Sequence, residues 1–191
     1  MTSISPKLHL VDFANTAPST LQQQVISAID AANAFLDELA IMVDNKASAN
    51  ALDTKQALTD IKNFDHINLA LDRSWGILSH LNSVMSNDEI RQVHHELLPK
   101  LSAYGTRVGQ HQPLFSRYQT VVNDQAFFTA LEPARARAIE LALRSFERSG
   151  VALPKAEQDK FAQIQSKLST LSATFSDHVL DATQAYALPL K

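Results

Sequence analysis

The sequence predicts an all-α protein, a bundle of about six helices with several long amphipathic members and a short extended C-terminal tail. Three observations favour this fold class. Glycine and proline, which interrupt helices, number only 4 and 7 in a chain of 191 residues. β-branched residues are sparse beside alanine, leucine and glutamine. Apolar residues recur at steps of three and four along most of the chain, which is the period of one helix face.

One helical domain is predicted over residues 19–184, since a chain of this length suits one sizeable core. Residues 1–18 contain two prolines and no apolar period, so we expect an extended arm. Residues 185–191 form the expected tail. Its alternating AYALPL run is typical of a strand and favours a truncated element without its pairing partner.

The first predicted helix starts at Ser19 or Thr20, because either side chain can cap a helix N-terminus. The polar residues 44–63 are expected to form a connector that holds a short helix starting near Asp53. The core face of the first helix is predicted to consist of Leu21, Val25, Ile29, Ala32, Leu36, Leu39 and Val43.

A second long helix is predicted to start at Phe64. The third should start at Ser86, which forms a capping box with Glu89, and Pro99 should kink it by removing a backbone hydrogen bond. The apolar face of the second helix is Phe64, Ile67, Leu71, Leu78, Leu81 and Met85, and that of the third is Ile90, Val93, Leu97, Leu101, Tyr104 and Val108.

Two further helices are predicted around Asn123 and Asp124, which separate them. The apolar residues are Leu114, Tyr118 and Val121 before this point, and Phe127, Leu131, Ala134, Ala138, Leu141 and Ser145 after it. Gly150 suits a helix C-terminus and Pro154 the beginning of the last helix.

The last helix has the most regular apolar spacing in the chain. We call this set the C-terminal stripe, and its members are Phe161, Ile164, Leu168, Leu171, Phe175 and Val179. We assign the C-terminal stripe to the core, together with Trp75 and the nine phenylalanines. The alternative is that it faces a lobe absent from this chain.

Composition and charge exclude several classes of function. The net charge is −3 and no basic cluster occurs, which disfavours nucleic-acid binding. Cysteine is absent, which excludes disulfides, thiolate nucleophiles and cysteine-ligated metal sites. We expect no secretory signal, no membrane span and no membrane partner, and therefore a cytoplasmic location.

The segment His94-His95-Glu96-Leu97-Leu98-Pro99 is the strongest candidate metal site. A zinc peptidase motif needs a second histidine four residues after the first, so that both imidazoles share one helix face. Proline stands at that position, and no two of the seven histidines lie three or four residues apart. We therefore expect no catalytic residue, no metal ligand and no cofactor in this chain, and we assign no substrate-binding residue.

Three other groups have a structural and a functional interpretation. His178 and Asp181 share a helix face near Asp177, as a surface pair or as an acid–base or metal-assisted site. The GxxxG pattern that ends at Gly109 is typical of close helix packing. The third group is the run Arg135, Arg137, Arg144 and Arg148, of which the last three fall near one helical face. This basic face is either a solvated face paired with Glu140 and Glu147 or an interface for peptide carboxylates or another domain.

Four phrases along the chain carry a family resemblance. They are SHLNSV at 79–84, LPKLSAY at 98–104, VGQHQPL at 108–114, and FSDHVLDAT at the end of the helical pair 143–183. In this order, over residues 64–183, they resemble the N-terminal helical region of the oligopeptidase A and thimet-oligopeptidase family of zinc metallopeptidases.

The resemblance implies a mostly helical enzyme with two lobes flanking a deep channel that admits short peptides and excludes folded proteins. Zinc is implied in the larger C-terminal lobe, on an HExxH motif that does not occur in this chain. The chain is then expected to supply a non-catalytic channel wall and scaffold, with the catalytic lobe as partner. No catalytic residue of the family can be assigned to a position here.

Two origins fit this expectation: a fragment of a longer peptidase, or a stand-alone protein that retains only the front half. The competing function class is an independent helical interaction module without peptidase activity. An exposed apolar face on such a chain would also favour weak self-association.

Overall fold

The computed structural model describes residues 11, 13, 16–46 and 52–187, with side chains only to residue 42 in the first of the two long segments. The described part forms seven α-helices and contains no strand, so the all-α class is confirmed. The helices are α1 (Pro18–Lys46), α2 (Thr54–Val84), α3 (Asp88–Gly109), α4 (Gln112–Asn123), α5 (Gln125–Thr129), α6 (Pro133–Arg148) and α7 (Lys155–Ala185).

The core lies between α1, α2, α3 and α4, and α6 packs on α4. The period of α1 predicted its buried face well, since Leu21, Val25, Ile29, Ala32, Leu36 and Leu39 are all buried. Val43, most of the expected arm and the end of the AYALPL tail lie outside the described side chains. At the start of the tail, Tyr186 has an extended backbone, with φ −74° and ψ 121°.

The helix start expected near Asp53 is confirmed, but this helix is not a short piece of a connector, since residues 54–63 are the first third of α2. Asp53 caps this helix, because its Oδ2 accepts a hydrogen bond from the Gln56 amide at 3.2 Å. The segment looked polar, but Ala57 and Ile61 are buried against the bundle. A narrow apolar face is therefore enough to continue the helix through a polar sequence.

The predicted capping box at the start of α3 is also wrong. Asn87, and not Ser86, is the N-cap, since its Oδ1 accepts from the Ile90 amide at 2.8 Å. Ser86 Oγ instead accepts from Arg91 Nε at 2.7 Å. Asparagine is as good an N-cap as serine, and here it occupies the position next to the first helical turn.

The helix predicted after Asp124 is divided into α5 and α6. Pro133 is the first residue of α6, and a proline disfavours helical backbone in the residue before it. Glu132 accordingly has φ −57° and ψ 136°. The division also shifts the buried face of α6 to Ile139 and Phe146, while the predicted positions Ala134, Ala138, Leu141 and Ser145 are exposed.

Gly150 ends α6 as predicted. Its φ of 79° lies in the left-handed region that glycine adopts without steric cost. The Gly150 amide donates to Glu147 O at 3.1 Å and the Val151 amide to Phe146 O at 3.2 Å, which together form a Schellman motif. This turn directs the chain into α7.

A buried ion pair that the sequence did not predict joins α2 to α4. Arg117 and Asp60 are 2% and 4% exposed, and Arg117 Nε donates to Asp60 Oδ2 at 2.6 Å. Gln56 Nε2 donates to the other Asp60 oxygen at 2.8 Å, and an Arg117 Nη donates to Pro113 O at 2.8 Å. Both charges are thus paired and further hydrogen-bonded, which buried charges require.

The core assignment of the C-terminal stripe is wrong. α7 packs chiefly on α3, and none of its residues is buried. Ile164 is 64% exposed, Phe175 is 70% exposed, and Leu168, Leu171 and Val179 are about half exposed. Phe161 and, in α2, Trp75 are half-buried. Among the phenylalanines outside the stripe, Phe13 is exposed.

The position of the C-terminal stripe predicts a contrast between two leucines. Leu97→Ala should lower the free energy of unfolding by about 2–5 kcal/mol, because Leu97 is fully buried and its truncation leaves a cavity. Leu168→Ala should change it by less than ~0.5 kcal/mol, since the side chain is exposed. Chemical denaturation with matched slopes, at concentrations where the chain is monomeric, measures both. A loss above ~2 kcal/mol for Leu168→Ala would return the stripe to the core.

Candidate functional site

The histidine segment of α3 contacts three different helices. His94 stacks on Trp75 of α2, with ring centroids 4.7 Å apart. His95 Nε2 lies 2.6 Å from Asp177 Oδ2 of α7. Glu96 accepts a hydrogen bond from Gln22 of α1 at 2.7 Å. Because the three side chains diverge, they do not face a common point where one ion or substrate would bind.

The acidic residues near the end of α7 also have partners on α3. Asp181 accepts two hydrogen bonds from the Arg91 guanidinium, at 2.6 and 3.2 Å. One helical turn away on both helices, Asp177 meets His95. We call these four residues the α3–α7 ladder. Asp181 therefore makes its hydrogen bonds to Arg91, and His178, proposed from the sequence as its partner, is exposed and contributes only the smallest of the electrostatic effects that lower the pKa of Asp181.

Charge and burial set the protonation of this region. The hydrogen bond from Arg91 is the main cause that lowers the pKa of Asp181, and the same bond raises the pKa of Arg91. Burial beside Trp75 lowers the pKa of His94, and the nearby His95 adds to that effect. His94 Nδ1 is buried and has no hydrogen-bond partner within the protein. The pKa shifts of Arg91 and Asp181 therefore both result from the contact that attaches α7 to α3.

The described residues do not form the kind of zinc site that the resemblance implies for the C-terminal lobe. A catalytic zinc site needs three protein ligands around one point. Within residues 16–46 and 52–187, no group of three histidine, aspartate or glutamate side chains is arranged to hold a metal ion. At the most promising segment, the position for the second histidine is Pro99, inside α3.

The GxxxG pattern has one close contact. A Cβ atom at Gly109 would lie 2.5 Å from Ser149 Cβ, so only glycine allows this approach between the ends of α3 and α6. A Cβ at Gly105 would meet no atom within 4 Å. Close packing is thus confirmed at the second glycine and is wrong for the first.

The basic face of α6 is solvated in this structure. Arg135, Arg137, Arg144 and Arg148 are all exposed, and Arg137 pairs with Glu140 at 2.8 Å, as the i,i+3 spacing predicted. A single exposed pair of this kind contributes little to stability. The alternative interpretation, an interface for carboxylates or another domain, stays a prediction.

Sequence reasoning missed a groove of about 620 Å³ between α1, α3 and the first turns of α4 and α7. Its charged lining includes Arg107, whose guanidinium donates to Asn33 at 2.7 Å and to Asp37 at 2.5 Å. His111 also lines it and caps α4, because its Nδ1 accepts from the Leu114 amide at 3.2 Å. The Arg107 contacts join α3 to α1 over 70 and 74 residues, so no local pattern could have revealed them.

No helix in the described residues has the length and apolar character of a membrane span.

Residues 43–158, more than half of the chain, match the sequence model described as "Neurolysin/Thimet oligopeptidase, N-terminal domain". The chain belongs to this family. The match starts and ends earlier than the resembling span 64–183, so the FSDHVLDAT phrase lies outside it.

Curated relatives agree with the family. The chain is 42% identical over 116 residues to Oligopeptidase A of Haemophilus influenzae, and 40% identical over 116 residues to Oligopeptidase A of Escherichia coli. Each alignment covers 61% of this chain and 17% of the relative. It is 30% identical over 112 residues to the Probable cytosolic oligopeptidase A of Arabidopsis thaliana, 59% of this chain and 16% of that protein. The chain therefore spans less than a fifth of the relatives it matches.

We expect the isolated chain to bind no zinc tightly and to cleave no peptide, because its histidines do not share a ligand geometry. Metal analysis after dialysis, together with a short-peptide cleavage assay, measures both. One zinc ion per chain that is lost in the His94→Ala/His95→Ala double variant would contradict the expectation.

We expect His111 to make the stability of the folded chain depend on pH. Burial, with the nearby Arg107 charge as a second cause, lowers the pKa of His111 to about 4, from the ordinary 6.5. The unfolded chain therefore takes up the proton first, and stability should fall as the pH decreases from 6.5 towards 4. His111→Asn keeps a good N-cap acceptor and cannot titrate, so its denaturation midpoint should depend less on pH in this window.

The control for this measurement is His66→Asn, which replaces an exposed histidine of α2. Its midpoint should follow that of the unmodified chain at every pH. Equal pH profiles for the unmodified chain and His111→Asn would show that His111 does not resist protonation in the folded state.

Proposed function

We propose that this chain is the non-catalytic N-terminal part, a channel wall and scaffold, of a zinc-dependent oligopeptidase that cleaves short peptides. The observation that carries this proposal is the match of residues 43–158 to the N-terminal domain of the family. The described residues contribute no metal-ligand group, so catalysis is assigned to the much larger remainder that the relatives possess.

The shape of the helices supports a wall. α1, α2 and α7 contain 29, 31 and 31 residues. At 1.5 Å per residue each helix is about 45 Å long, which is enough to border an elongated cavity. The buried Arg117–Asp60 pair and the fully buried leucines hold α1 to α4 as one core. Such a unit is suited to positioning other parts of an enzyme without taking part in the reaction.

The proposed partner is the catalytic C-terminal lobe, which would hold the zinc ion, and short peptides would be substrates of the assembled enzyme only. We also infer a cytoplasmic location, in line with the name of the Arabidopsis relative. The alternative function is an independent helical interaction module, and the observation that favours it is the exposed C-terminal stripe without any catalytic group beside it.

A chimera tests the proposal. In full-length Oligopeptidase A of Escherichia coli, the region equivalent to residues 43–158 would be replaced by residues 43–158 of this chain. We expect the chimera to retain zinc and to cleave a short peptide within about tenfold of the parent enzyme, a barrier change of ~1.4 kcal/mol. Deletion of the same region should cost roughly a hundredfold or more, as loss of positioning does.

The matched control is a chimera with Leu97→Asp, which places a charge in the core and should behave as the deletion does. A deletion enzyme as active as the parent would refute the wall and scaffold role. A folded, zinc-loaded chimera without activity would do the same and favour the interaction module.

A further inference from the structure

The C-terminal stripe has the spacing of a helix-pairing seam. Its members from Phe161 to Phe175 follow steps of 3, 4, 3 and 4 residues, which is the heptad repeat of a coiled coil. With Val179 the stripe is about 27 Å long. Five of the six side chains are 49–70% exposed. They form a continuous apolar row, whereas exposed apolar residues on most protein surfaces are scattered singly.

The fold holds this row outward. The α3–α7 ladder fixes the opposite side of α7, where Asp177 and Asp181 contact α3 through His95 and Arg91. Ser169 and Ala173, half-buried, precede Asp177 at steps of four residues and lie on the same side of α7. Because the polar side of α7 already has its partners, the row cannot turn inward without breaking both ladder contacts.

Beside the part of the row from Phe161 to Phe175, the charges are positive. In the heptad repeat, Lys160 and Lys167 lie on one flank of the row, directly before Phe161 and Leu168. Gln165 and Ser172 lie on the other flank. From Lys160 to residue 176 no acidic residue occurs. Lys160 pairs with Glu157 of its own helix at 2.8 Å. A partner helix would therefore gain from carboxylates that face Lys167 and, in part, Lys160.

We propose that the C-terminal stripe docks an amphipathic α-helix with apolar residues at heptad spacing and carboxylates towards Lys160 and Lys167. This helix belongs to the catalytic part of the peptidase, a step that rests on the proposed function. The family match ends at residue 158, in the first turn of α7, and more than four fifths of each relative lies outside its alignment. α7 thus stands where the matched domain gives way to the remainder.

A second copy of this chain fits the row less well. In a parallel pair the two lysines would face Gln165 and Ser172 of the other copy, which offer no charge. In an antiparallel pair Lys167 would face Thr174, and Lys160 would face Asp181, which Arg91 already binds. The lysine flank therefore selects a different, acidic helix.

The probes are two synthetic three-heptad helices with leucine at both core positions and either glutamate or lysine at all flanking positions. Fluorescence anisotropy with the full chain should show at least tenfold tighter binding of the glutamate peptide, about 1.4 kcal/mol, with a difference that shrinks at high salt. Lys160→Glu/Lys167→Glu should reverse the preference. Leu168→Asp/Leu171→Asp should abolish binding of both peptides, and Gln163→Asp, on an exposed position outside the row, should not.

Three outcomes would overturn the inference. The first is equal binding of both peptides or none. The second is a chain that sediments as a dimer, becomes monomeric with Leu168→Asp/Leu171→Asp and ignores the glutamate peptide, which would make the occupant a second copy. The third concerns an Escherichia coli chimera extended through residue 185: full activity and thermal stability in its Leu168→Asp/Leu171→Asp form would remove the catalytic part as occupant.

These outcomes separate the two proposals. Loss of peptide binding with an active 43–158 chimera would overturn the docking helix and leave the proposed function intact. An inactive chimera with selective binding of the glutamate peptide would overturn the wall and scaffold role and, with it, the catalytic part as occupant, while the preference of the C-terminal stripe for an acidic helix would stand.

Discussion

The buried ion pair between Arg117 and Asp60 is the constraint around which the bundle is organised. It joins α4 to α2, α2 also packs on α1, and α6 rests on α4. Removing either partner would leave a buried charge unpaired, which costs on the order of 3–5 kcal/mol, a large share of a domain's net stability. Each charged group has a further hydrogen bond, since Asp60 accepts one from Gln56 and Arg117 donates one to the Pro113 carbonyl. α4 therefore has one position against α2 in which its polar residues are satisfied.

Much of the secondary structure followed from local rules, and its errors have local causes. The period of α1 and the glycine at Gly150 were sufficient because apolar spacing and backbone sterics act within a few residues. The continuity of α2 through residues 54–63 was missed because this segment is largely polar, and the buried face of α6 was missed because Pro133 restarted the helical phase. The Arg117–Asp60 pair joins residues 57 positions apart, which no local pattern specifies.

The candidate site likewise has one property that local spacing predicts and others that it does not. Spacing alone showed that the α3 histidines lack a zinc peptidase pattern, since ligand geometry on one helix is a local property. The partners of those side chains were not predictable, because His95 and Asp177 are 82 residues apart. Periodicity likewise identified the C-terminal stripe as one continuous face, but it does not say whether that face meets the core or the outside. The ladder contacts on the opposite side show which way α7 is rotated.

The attachment of α7 has a consequence for how the protein opens. Its residues add no fully buried side chain to the core, and its charged contacts with α3 are partly exposed. Detaching α7 therefore uncovers no fully buried side chain of its own, so its amide protons should exchange through a local opening that leaves α1 to α4 folded. The domain is then a stable unit joined to a helix of lower stability. Any partner that binds only the attached form of α7 would suppress this opening in proportion to its own affinity and concentration.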